Sequence, residues 1–150
     1  MVTRIVLAAL AATGCKGMLV GSFTGKLESS GATGAWVLDH GPCYSGERRG
    51  FYGATVESPD QDGVIVKFVK DPIKSWTVIA NMADTCKPGA TSECRAAIFT
   101  RDDCKTFAID LQVDTTRKTQ MFSGTVALDC ATDDAHVAGK LELSACRTPP

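Results

Sequence analysis

Phe107-Ala-Ile-Asp-Leu-Gln-Val113 decides the fold class. Phe107, Ile109, Leu111 and Val113 alternate with Ala108, Asp110 and Gln112 without a break. A period of two puts the apolar side chains on one face of an extended strand and destroys any helical stripe. Asp114 to Lys118 turns the chain, and Met121 to Leu128 runs back with Phe122, Gly124, Val126 and Leu128 in step. Two alternating runs around a polar turn predict an antiparallel hairpin.

The same reading extends in both directions. Val137, Gly139, Leu141 and Leu143 supply a last strand after Thr132-Asp-Asp-Ala135, and Val64 to Val69 is a β-branched run bounded by Pro59-Asp-Gln-Asp-Gly63 and Asp71-Pro72. Trp76 to Ala80, Ala96 to Phe99, Phe51 to Val56, Ala35 to Leu38 and Gly17 to Leu27 are further short runs. His40 to Gly50 has the composition of a loop. No window carries a capped 3.6-residue period, so the expectation is all-β with about nine strands. Uneven strand lengths and irregular loops favour an antiparallel β-sandwich, with an antiparallel β-barrel as the alternative.

The chain has 150 residues, 44% hydrophobic and 22% charged, which suits one globular domain. Its net charge is −1, and no concentrated basic surface exists to displace counterions from phosphates, so a nucleic-acid partner is not expected. Seven cysteines, at 15, 43, 86, 94, 104, 130 and 146, are many for a reducing compartment. There is no C-x-x-C, and His40 and His136 stand apart from cysteines at ligand spacing, so disulfides are favoured over zinc. A hairpin of the 106–113 and 121–129 runs brings Cys104 near Cys130. Cys86 and Cys94 bracket a loop and pair most simply with each other, which leaves Cys43 for Cys146.

Cys15 is then the odd cysteine, and its surroundings explain it. Arg4 supplies a positive start, Ile5 to Ala12 an apolar run too short to span a bilayer, and Thr13-Gly14 small residues before a cut. Leu10-Ala11-Ala12-Thr13-Gly14-Cys15 resembles a bacterial lipobox, with Ala12 where leucine is usual. The resemblance implies a signal segment over 1–15, a diacylglycerol on Cys15 and one mature domain over 16–150. Lys16 after the cysteine implies, by analogy, the outer membrane. The terminal strands, Gly124-x-Val-x-Leu-x-Cys130 and Gly139-x-Leu-x-Leu-x-x-Cys146, further resemble those of small Gram-negative lipoproteins, a loose likeness over residues 104 to 146. Those families are mostly without assigned activity, so the likeness implies location rather than chemistry.

No Walker loop, H-E-x-x-H, G-x-S-x-G or G-x-G-x-x-G occurs. Ser45 lies five residues from His40, with Asp39 adjacent, but sequence neighbours rarely build a nucleophile–base–orienter geometry. Asp60-Gln-Asp62, Asp102-Asp103 and Asp133-Asp134 are acidic pairs that turn chemistry explains without calcium. Catalytic residues, metal and cofactor are therefore expected to be none. The most binding-like patch is Tyr44, Arg48, Arg49 and Tyr52, beside Glu47 and Phe51, because arginine and aromatics anchor interfaces. Trp36 and Trp76 read as core. The leading expectation is a lipid-anchored, non-enzymatic envelope protein that binds or builds. A secreted inhibitor or protective protein engaging another protein through residues 40–52 comes second, and a hydrolase or sugar-binding sandwich third.

Overall fold

Alternation along the chain becomes pairing across it in the computed structural model, which describes residues 20–61, 63–71, 75–80 and 96–148. Among these, nine strands form one sheet: β1 (Gly21–Gly31), β2 (Trp36–Ser45), β3 (Gly53–Glu57), β4 (Ile65–Lys70), β5 (Trp76–Ala80), β6 (Ala97–Phe99), β7 (Cys104–Val113), β8 (Met121–Ala131) and β9 (Ala135–Arg147). The only helical turns among the described residues are short 3₁₀ turns at Glu47–Arg49 and Arg101–Asp103. The expected hairpin is β7–β8, with Phe107 opposite Leu128, Ile109 opposite Val126 and Val113 opposite Phe122. Lys105 is an extra residue on β7, a bulge that brings Cys104 opposite Cys130.

The strand order β6-β5-β4-β3-β2-β1-β9-β8-β7 makes a nearly closed, barrel-like sheet. Neighbours in that order are all antiparallel, so the outermost strands, β6 and β7, run in the same sense. Together they are one extended run, interrupted at Arg101–Asp103, where Thr100 and Asp103 cap each other. Its first three residues pair with β5 and its remainder with β8. β2 changes partners in the same way, leaving β1 and joining β3 from Cys43 onward. Just before that change stands Gly41, where φ is +152° and an added Cβ would lie 2.4 Å from the Glu57 carbonyl oxygen. Strands that switch partners at bends are the corners by which one sheet folds over itself. The architecture is therefore all-β, and it combines the sandwich and barrel alternatives.

The inward faces of the two halves meet in one core. Phe23, Leu27, Leu38, Val56, Phe68, Phe99, Phe122 and Leu143 are fully enclosed. Trp36 is 2% exposed and donates its indole N–H to the Thr33 carbonyl at 3.0 Å, as a buried indole must. Trp76 is half-buried, with the Lys70 ammonium 5.7 Å from its ring centre.

Among the described residues, two disulfides staple this sheet. Cys43–Cys146 joins the end of β2 to the end of β9. There the two strands run parallel and touch directly, Tyr44 opposite Arg147, because β1 has only just begun. Gly21, at the start of β1, permits the approach: a Cβ there would lie 2.3 Å from the Ala145 carbonyl oxygen. Cys104–Cys130 closes the base of the β7–β8 hairpin. The expectations for Cys15, Cys86 and Cys94 fall outside the described residues.

Candidate functional site

Three short segments converge at one end of the molecule: the β2–β3 turn, the β7–β8 turn and the stretch after β9. The β2–β3 turn is a tight knot around Gly46, whose carbonyl accepts the N–H groups of Arg49 and Phe51 at 2.9 and 3.2 Å. The Phe51 ring fills the place where a Gly46 side chain would stand. Gly50, with φ +80°, ends the turn in the left-handed conformation that glycine adopts freely.

Glu47 ties the three segments together. Its Oε2 accepts the Gln120 backbone N–H at 3.1 Å and the Thr148 hydroxyl at 2.7 Å. Thr148 in turn shares a hydrogen bond with the buried Ser45 hydroxyl at 2.8 Å. The bonds from Thr148 and then Gln120 hold the Glu47 carboxyl below the usual carboxylate range. Asp114, at the foot of the facing turn, accepts Thr116 N–H and hydroxyl at 2.9 and 2.6 Å, and Arg117 Nε at 3.2 Å. Its carboxyl is lowered, chiefly by Thr116.

Between the two turns lies an open cleft of about 330 Å³, lined by Glu47, Tyr52, Val113, Arg117, Lys118 and Gln120. Tyr52 is 36% exposed and stands edge-on against Phe122, ring centres 5.2 Å apart. A partly exposed tyrosine whose ring packs on a core residue is the kind of side chain that anchors interfaces. Arg48 lies exposed in the same turn, and Arg49 is ion-paired with Glu57 at 2.6 Å.

The structure separates the sequence-derived patch. Arg48, Arg49 and Tyr52 share this end, whereas Tyr44 belongs to β2, half-buried and paired with Thr55 and Arg147. The loop expected over 40–50 is thus corrected: β2 continues to Ser45, since edge pairing with β3 and β9 outweighs the Gly41-Pro42 composition. Glu47 stood beside the sequence-derived patch, but its partner across the cleft, the 114–120 turn, was missed. Their partnership spans 73 residues and leaves no local pattern.

The other candidates stay dispersed. Ser45 is occupied by Thr148, while His40 bonds Asp39 at 2.6 Å and lies 3.8 Å from Asp60. Asp103 caps its 3₁₀ turn, and Asp134 accepts the Thr132 hydroxyl at 3.2 Å beside the His136–Asp129 pair at 2.8 Å. Among the described residues no three His, Cys, Asp or Glu side chains form a metal-binding group.

Fold and site together define a disulfide-stapled all-β domain with a cleft of mixed charge at one end. No protein-family model, curated protein or solved structure matches the chain.

Proposed function

We propose that this chain is an exported protein, anchored by lipid at Cys15 to the outer membrane, whose folded domain works by binding rather than by catalysis. The observation that carries the export reading is the pair of disulfides in the sheet, since such bonds form and persist in oxidising compartments. The short apolar run over Ile5 to Ala12, just before Cys15, supplies the route. A mature N-terminus with more than one acyl chain would attach stably to a membrane.

The binding reading rests on Tyr52. It is an aromatic packed edge-on against Phe122, partly open to solvent, and set in one cleft with Arg117 and Lys118. Glu47 and Asp114 are engaged by neighbouring donors that favour their ionised form, and they fix the two turns. A rigid frame around an exposed anchor lowers the ordering entropy of association. The partner would be another protein of the envelope.

Cell fractionation of the wild type and Cys15→Ser tests the location. Wild type should follow the outer membrane and the variant should become soluble outside the cytoplasm. Wild type in the soluble cytoplasm overturns the reading. For binding, a photo-crosslinking residue at position 52 should give an adduct that position 28 does not, and that Arg48→Glu abolishes. Equal labelling at both positions contradicts a site at this end.

A further inference from the structure

We infer that β7 is a dimerisation edge, at which two copies of this chain pair strand to strand. β7 is ten residues long and, among the described residues, has a neighbour on one side only. The cause lies in the sheet's two halves. β5 is five residues long, and it reaches only β6 before the chain bends at Arg101–Asp103. Among the described residues β7 therefore continues past the bend with one edge unaccompanied. Its inward row is correspondingly incomplete, with Phe107, Ile109 and Val113 half-buried where the strands on either side of the molecule bury theirs. A long edge with an apolar row is a template for another strand.

The strand's own sequence points to a second copy as the occupant. In an antiparallel, two-fold pairing with Ala108 opposite Ala108, Phe107 of each copy meets Ile109 of the other on the inward face. Thr106, with the bulged Lys105 beside it, meets Asp110 on the outward face. Lys105 and Asp110 are both exposed, and two-fold symmetry makes their contact twice. Only the small Ala108 faces itself at the axis. Shifting the axis to Ile109 sets Asp110 opposite Ala108 and removes the charge match, so the Ala108 register is favoured over that one.

Sedimentation of the full chain carrying Cys15→Ser, so that no lipid drives association, measures the equilibrium. Lys105→Glu and Asp110→Lys should each weaken the dimer roughly tenfold, because each places two like-charge contacts across the axis. The double exchange should restore it, which also shows that the surface changes leave the fold intact. Amide exchange should show protection of β7 that falls on dilution. A dimer indifferent to both single changes would place the interface elsewhere and overturn the inference. So would a monomer whose β7 amides are protected at every concentration, since the edge would then be held by another segment of its own chain.

Discussion

Gly124 and Gly139 are glycines for a reason that lies on other strands. At Gly124 φ is +147° and an added Cβ would stand 1.9 Å from the Asp110 carbonyl oxygen. At Gly139 φ is +143° and the nearest atom is the Lys26 carbonyl oxygen at 2.0 Å. Gly124→Ala should therefore cost about 2 kcal/mol or more in urea unfolding, through backbone strain together with displacement of the β7 backbone. Both positions were readable as members of the apolar alternation. Their need for glycine was not, because the clash comes from the neighbouring strand. Glu47 is a second case. Its carboxyl and that of Asp114 are lowered, so their contributions are in place above the ordinary carboxylate range and are lost as the pH falls through the depressed values. Acid unfolding below about pH 4 should thus be less steep in Glu47→Gln than in wild type. Identical acid profiles would mean that Glu47 does not join the three segments.

At the scale of the element, the β7–β8 hairpin carried most of the readable information. Its alternation has no competing helical period, and its register follows from the turn, so the approach of Cys104 to Cys130 could be argued from spacing. The short strands β3 to β6 were visible as runs, but their partners were not, because β2 and the 97–113 run change neighbours at bends. The two disulfides differ in what they close. Sequence separations of 103 and 26 correspond, by chain entropy, to about 4.7 and about 3.5 kcal/mol. Replacing Cys43 and Cys146 together by alanine should lower the unfolding free energy more than replacing Cys104 and Cys130. The reverse order would show that local strain or residual structure outweighs loop closure.

For the whole molecule, the half built from β7, β8, β9, β1 and β2 is long, the half from β3 to β6 is short, and stapling holds the long half shut at its two ends. Residues 46–52 and 114–120 meet only because β2 and β9 come together past the start of β1. That meeting required the nearly closed topology, which is why the end cleft was half legible: Glu47, Arg48, Arg49 and Tyr52 stood out as a local cluster, while the facing turn and Gln120 did not. Reductant should lower the melting temperature markedly, and a melt indifferent to it would contradict the stapled architecture. The most direct measurement of export with stapling is the intact mass of membrane-extracted protein after thiol alkylation without reduction. The expected species begins at an acylated Cys15, with Cys43, Cys104, Cys130 and Cys146 unalkylated. A chain that still begins at Met1, with those four cysteines alkylated, would contradict it.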